Sequence, residues 1–272
     1  MSEPAGASPR WTPLVYFWDG GWIGVGASAA GPPVAPHAHH AVQITVGLDG
    51  PVRFRHRDGE WIEMRGAVVL PDVLHGFDSL GRVCAMLFVD PESSEGRWLR
   101  DSIETPILEV GAASVAEHLP ALLAFPRERP DATTAARIVT GLVRSLCAGP
   151  PPLTKMDPRM EKALEVIRRS GVRNLPLEDA ARCVFLSPSR FAHLFKEEVG
   201  LPFRRYVLWR KRSRAMEEFG RGANLTHAAH AAGFSDSAHL TRTWRQMLGM
   251  SPTGMIGAAR FYEIPAPFEL GG

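Results

Sequence analysis

Residues 177–200, LEDAARCVFLSPSRFAHLFKEEVG, return in altered form as residues 225–249, LTHAAHAAGFSDSAHLTRTWRQMLG. Leu177, Ala180, Ala181 and Ser187 recur as Leu225, Ala228, Ala229 and Ser235 at an offset of 48, and Phe191, Phe195 and Gly200 recur as Leu240, Trp244 and Gly249 at an offset of 49. One extra residue therefore sits at the second turn, beside Gly233, and the chain holds two copies of one supersecondary unit. Each copy reads as helix, turn, helix. In the first, Leu177 to Val184 forms one helix. Ser187 caps the next, Pro188 takes its first position, Phe191, Leu194 and Phe195 turn inward, and Gly200 ends it. Small Ala pairs let the two helices approach closely while the outer face stays polar.

The helical period extends outward from the repeat. Asp157 caps a helix with Met160, Ala163, Leu164 and Ile167 on one face, ending near Gly171. After Pro202 a longer helix runs from about Phe203 to Phe219, stopped by Gly220 and Gly222, and another covers Leu225 to Ala232. Seven short helices fit this half. The run Gly149-Pro150-Pro151-Pro152 reads as a stiff linker, which divides the chain into domain 1–148, linker 149–156, domain 157–262 and tail 263–272.

The charge divides with it. Residues 1–154 carry 12 Lys and Arg against 17 Asp and Glu, whereas residues 155–262 carry 19 against 10. A basic domain attracts polyanions, and charge alone admits DNA, RNA or an acidic membrane. No basic segment leads into an apolar run at the start, and no stretch of about 18 apolar residues occurs, so a soluble cytoplasmic chain with no membrane partner is expected. Cys84, Cys147 and Cys183 are odd in number and far apart, which fits reduced core thiols better than disulfides or a zinc cluster.

From about Arg159 to Phe261 the sequence resembles the AraC/XylS family of bacterial regulators. The resemblance lies in Ala180-Ala181, Ser187-Pro188-Ser189-Arg190-Phe191, Phe195-Lys196, Gly200, Tyr206-Val207, Ala215, Ala228-Ala229, Gly233-Phe234-Ser235-Asp236-Ser237, Thr241-Arg242, Trp244 and Gly249-Met250-Ser251-Pro252. Phe185 departs from it by standing where the first turn often has Gly. Lys211-Arg212 replace the usual Arg-Leu, and Arg212 must snorkel if its position is half-buried. The resemblance implies two helix-turn-helix units on one face of duplex DNA, held apart by the long helix, about 25 Å at ~1.5 Å per residue. The outward positions are then Ser189, Arg190 and His193 in the first unit and Ser237, His239 and Arg242 in the second, with Ser187, Ser235 and Thr241 beside them. Arg242, equivalent to His193, is the candidate base reader because a guanidinium can bond a guanine edge in two places. Lys196, Arg204, Arg205, Arg210, Lys211 and Arg245 are read as phosphate contacts or as solubilising charge.

In the N-terminal half Val42, Ile44 and Val46 alternate with Gln43 and Thr45. Val52, Phe54, Trp61, Ile62, Val68 to Leu70 and Val83 to Val89 come in short pieces broken by Gly, Pro and Asp. Helical segments follow near 115–124 and 132–147, the second with the stripe Ile138, Leu142, Val143 and Leu146, suited to packing on the strands or on a second subunit. His37-Ala38-His39, then Gly66, Pro71 and His75, are similar to the two motifs of the cupin family. His37, His39 and His75 could share a cavity with Gln43 as an effector pocket, a metal site or a structural cluster, while His40 and His56 read as surface residues. Metal-binding cupins add an acidic ligand, and Gln43 in its place is a poor one, so no metal and no cofactor are expected.

The fold class is therefore α+β, a cupin-like β-barrel with flanking helices followed by an all-α double helix-turn-helix domain. The expected function is a ligand-responsive transcription regulator and not an enzyme. Its expected partners are double-stranded operator DNA, a small-molecule effector, a second copy of the chain and RNA polymerase. The alternative is a metal-dependent cupin enzyme fused to a DNA-binding domain.

Overall fold

The computed structural model describes residues 13–27, 32–147, 156–169, 175–257 and 259–264. The N-terminal half comprises strands β1 (Leu14–Trp18), β2 (Gly21–Ala27), β3 (Val34–His37), β4 (Val42–Gly47), β5 (Val52–His56), β6 (Ile62–Met64), β7 (Gly66–Val69), β8 (His75–Asp78), β9 (Val83–Val89) and β10 (Ile107–Val110). Helices α1 (Ser94–Asp101), α2 (Ala112–Val115), α3 (Leu119–Glu128) and α4 (Ala132–Leu146) lie among and after them. The C-terminal half contains α5 (Pro158–Arg169), α6 (Leu177–Cys183), α7 (Pro188–Val199), α8 (Phe203–Gly220), α9 (Leu225–Ala231), α10 (Ser237–Leu248), α11 (Pro252–Ile256) and a final strand, β11 (Arg260–Glu263). The seven helices expected of the basic half are all present. The proposed linker lies, apart from Met156, outside the described residues.

The strands do not close into a barrel. They form a seven-stranded sheet, in order β10-β7-β4-β9-β2-β1-β11, and a separate four-stranded sheet, in order β3-β8-β5-β6. The reason is visible in where alternate side chains go. Leu14, Tyr16, Ile23, Val25, Val42, Ile44, Val46, Val68 and the odd-numbered residues of β9 share one core with Leu122, Phe125, Val139, Leu142 and Val143 of the helices. The opposite face is divided. Ala67, Val69 and Cys84 pack against Val52, Phe54 and Phe77 of the smaller sheet, whereas Val15, Phe17, Trp22 and Phe88 pack against the C-terminal half. A barrel wall is missing because helices of the other half cover that stretch of sheet.

Of the two packings open to the α4 stripe the structure has the one on the strands, and two other expectations need correction. The stripe on α4 is not a free dimer surface: Leu142 and Val143 are buried, and Ile138 and Leu146 pack against the same N-terminal core. The C-terminal domain does not run to residue 262, because β11 pairs in parallel with β1, matching Leu14 to Arg260 and Phe17 to Glu263. Tyr262 stacks on Tyr16 at 5.0 Å and Ile264 is buried in the N-terminal core, so the supposed tail begins inside the sheet. Of the three cysteines only Cys84 is a buried thiol; Cys147 is half-buried and Cys183 exposed.

Candidate functional site

The two repeat units superimpose in their local chemistry. In the first turn Leu186 N–H donates to Ala181 O at 3.0 Å, and in the second Phe234 N–H donates to Ala229 O at 2.9 Å. The residue before each is left-handed, Phe185 at φ 57° and Gly233 at φ 78°. Glycine takes that conformation without strain; Phe185 does so against its Cβ, with its ring 97% exposed. Ser187 then caps α7 by accepting from Arg190 N–H. In the second unit the cap is Asp236, which accepts from His239 N–H at 2.6 Å, so Ser235 is the inserted residue rather than the counterpart of Ser187. That backbone bond holds the Asp236 carboxyl below its ordinary range. Gly200 and Gly249, both left-handed, end the two helices.

Ser187, Ser189, Arg190, His193 and Lys196 are exposed along α7 and its cap, and Arg242 and Arg245 are exposed on α10. Ser237, His239 and Thr241 are half-buried. Thr241 Oγ1 donates to Ser237 O at 2.8 Å, and the His239 ring is bonded to Ser235 and set edge-on to Phe234, so both are tied to their own unit. Gln246, exposed one turn beyond Arg242, extends the open face of α10 and was not singled out in the sequence.

The units differ in what supports them. Met160, Leu164, Ala181, Phe191, Phe195, Phe203 and Tyr206 make the core of the first unit, which meets the N-terminal half where the Tyr206 ring stands edge-on to His40 at 6.0 Å. The second unit has no separate core: Ala215, Phe219, Ala228, Leu240 and Trp244 join Val15, Phe17, Trp22 and Phe88 of the N-terminal sheet. Gly249 rests on β3 so closely that a Cβ there would lie 2.5 Å from Ala35 O.

Cations expected on the surface are buried at this junction. Arg210 bonds Asp90 at 2.9 Å and Asp19 at 2.6 Å, and Trp209 Nε1–H also donates to Asp90, at 3.4 Å. Arg212 does not snorkel. It is 2% exposed, stacked 3.8 Å over the Trp209 ring, and its Nε and Nη1 have no hydrogen-bond partner. Burial pulls its guanidinium below the ordinary range. Lys211 donates to Gly233 O, while Arg204 and Arg205 remain exposed. A cleft of about 210 Å³ opens beside Arg210, lined by Trp18, Asp19, Arg168, Arg214 and Glu263 among others.

On the N-terminal side of the junction His37, His39, Gln43 and His75 come together. His37 faces His75 across the β3–β8 pair, and the three imidazole centroids stand 4.4, 5.1 and 5.6 Å apart. His40 is not a surface residue: it is buried between Asp72, at 2.9 Å, and Glu92, at 2.5 Å. Burial alone would lower its pKa, but Glu92 and Asp72 raise it to about 9, so the ring is charged at neutral pH. His56 is exposed, as read.

Residues 180–256 match the family described as Helix-turn-helix domain. An AraC-like transcription regulator of Streptomyces lividans is 26% identical over 165 residues, which cover 60% of this chain and 51% of that protein. Regulatory protein PocR of Salmonella typhimurium is 32% identical over 100 residues, covering 36% of this chain and 33% of PocR. The chain thus spans about half the length, or less, of these relatives. Among solved structures ToxT of Vibrio cholerae shares the fold with a TM-score of 0.58 at 11% identity, covering 88% of this chain and 98% of ToxT.

Proposed function

We propose that this chain, whose C-terminal half carries an AraC-type helix-turn-helix domain, is a cytoplasmic transcription regulator. It binds operator DNA through α7 and α10 and is controlled by a ligand bound in its N-terminal half. The observation that carries the reading is the pair of capped helices with exposed Arg190, His193 and Lys196 on one and Arg242 and Arg245 on the other, joined by one continuous helix, α8. Two such helices in successive major grooves give a footprint of two half-sites about one DNA turn apart.

Control follows from the shared core. A ligand that shifts the N-terminal sheet moves the second unit relative to the first, and so changes the spacing that DNA must match. In the same fold, ToxT has been crystallised bound to an unsaturated fatty acid. We take the chain as a binding protein and not an enzyme. Contact with RNA polymerase belongs to the same proposal; self-pairing needs a surface other than α4, whose stripe is already covered.

The test is selection of bound fragments from random duplex DNA by the full-length chain, followed by titration of the selected site at several salt concentrations. An affinity that falls steeply with salt and exceeds that for random DNA by at least ~1,000-fold supports the proposal. Equal affinity for selected and random DNA refutes sequence-specific regulation.

A further inference from the structure

We infer that the junction between the two halves is a binding site for one halide-sized anion, held by Arg212 of α8 and Trp22 of β2. The site goes beyond the regulator reading and does not depend on it. A cavity of about 20 Å³ lies at the junction, lined on one side by Phe17, Trp22 and Phe88 of the seven-stranded sheet and on the other by Trp209, Arg212 and Met216 of α8. That volume admits a single water-sized or slightly larger particle and excludes a metabolite.

The polar groups left open on this wall are donors. Arg212 is 2% exposed and Trp22 is 8% exposed. Arg212 Nη2 donates at 3.3 Å to Ser213 Oγ, whose own hydrogen goes to Trp209 O. Arg212 Nε and Nη1 and Trp22 Nε1 have no hydrogen-bond partner among the described residues. None of these three nitrogens can accept. Stacking on Trp209 at 3.8 Å satisfies the face of the guanidinium and leaves its edges bare, while Trp22 is held by stacking on Phe88 at 4.3 Å.

The charge is as open as the hydrogen bonds. Two carboxylates, Asp90 and Glu217, line the same cavity, but both are committed elsewhere. Asp90 accepts from Arg210 at 2.9 Å and from Trp209 at 3.4 Å, and Glu217 pairs with Arg214 at 2.7 Å and Arg221 at 3.6 Å. Arg212 thus has no ion pair among the described residues, and burial pulls its guanidinium below the ordinary range against the opposing field of Asp90. A buried cation needs a counter-charge, and a water in the cavity brings none, with two hydrogens of its own to place. A monovalent anion accepts from the guanidinium and the indole together, through charge-assisted bonds in an apolar surround. The volume favours chloride or bromide over the bulkier sulfate and phosphate. Arg212 stands where the AraC/XylS resemblance has Leu, so the site belongs to this chain and not to that pattern. Because Arg212 comes from one half and Trp22 from the other, the anion bridges them and strengthens the seat of the second unit on the sheet.

The experiment follows the Tm of the full chain by differential scanning calorimetry as NaCl or NaBr replaces sodium gluconate at constant ionic strength, which keeps screening fixed. The response is read as the difference between wild type and Arg212→Leu, which cancels the general effects of the salts. Wild type should gain Tm with the logarithm of halide concentration, as binding to the folded state alone requires, and Arg212→Leu should not. Trp22→Phe keeps a ring against Phe88 and removes the N–H; it should move the onset of the gain to about 10-fold higher chloride or beyond. Crystals of the full chain soaked in NaBr should show an anomalous peak within hydrogen-bond distance of Arg212 and Trp22 Nε1. The same halide response in wild type and Arg212→Leu overturns the site, as does bromide found only on the surface, and either result leaves the cavity to water. Should Arg212→Leu fail to fold, the bromide position in the wild-type chain decides alone.

Discussion

Arg210 offers the sharpest measurement of the junction between the halves. Its guanidinium, 6% exposed, reaches Asp90, which is 11% exposed, and Asp19, which is 57% exposed. The Asp19 arm is a near-surface pair and contributes at most about 1 kcal/mol. The Asp90 arm is different, because Arg210→Ala leaves a buried carboxylate with only Trp209 Nε1–H as a donor. Removing one partner of a buried pair costs about 3–5 kcal/mol. At about 2–4 °C per kcal/mol for chains of this size, a loss near 4 kcal/mol lowers the Tm by roughly 8–16 °C. Differential scanning calorimetry on Arg210→Ala, Asp90→Ala and the double variant reads it. The double variant should lie well above the sum of the singles, since it leaves no unpaired charge. A Tm drop under about 2 °C for Arg210→Ala, or strict additivity, refutes the claim that this pair clamps the halves together.

Arg242→Ala should cost about 1–3 kcal/mol at one base pair of the operator and flatten preference there; a uniform loss across single-base variants, with a salt slope lower by about one, would make Arg242 a phosphate contact. Phe185→Gly should stabilise the chain by about 1 kcal/mol, because the left-handed turn is relieved and the ring is almost wholly exposed; a lower denaturation midpoint would contradict this. Gly249→Ala should lower the midpoint by more than ~1 kcal/mol, since it meets both a φ of +69° and Ala35 O at 2.5 Å, and a neutral effect would mean α10 is not seated on β3. Native alkylation should modify exposed Cys183 first and Cys84 only on unfolding, because burial raises Cys84 to about 12; mass spectrometry showing Cys84 modified as fast as Cys183 would refute its burial.

The repeat, its caps and its terminating glycines were legible because each is set by a few neighbouring residues: Ser187, Pro188 and Gly200 do in the structure what their types dictate. The chemistry of Arg210 and Arg212 was not legible. Their sequence, Trp209-Arg210-Lys211-Arg212, looks like any basic run on a DNA-binding helix, and only the arrival of Asp90, Trp22 and Phe88 from about 120 to 190 residues away makes a buried pocket of it. His40 was misread for the same reason, since Asp72 and Glu92 are 32 and 52 residues distant. The strands β1 and β2 escaped the sequence reading because both faces are covered, by two different cores, so polar alternation is absent. The histidine cluster was half legible. Its members can be named from the sequence, but the bond between His39 and Gln43 is not one that spacing reveals.

The pairing of β11 with β1 changes how the DNA-binding half can move. It is an insert rather than a pendant: one sheet supplies its surroundings before residue 156 and receives the chain again at residue 260. Arg221 adds a rivet near the return, bonding Glu263 at 3.1 Å. A segment held at two points on a stiff support cannot diffuse away when its contacts loosen; its effective concentration against the sheet stays high, and the motion left to it is a tilt about the line through its anchors. On the proposed function, a signal from the N-terminal half reaches DNA as a change of angle between α7 and α10, and severing the chain at the proline run would free only one of the two ends.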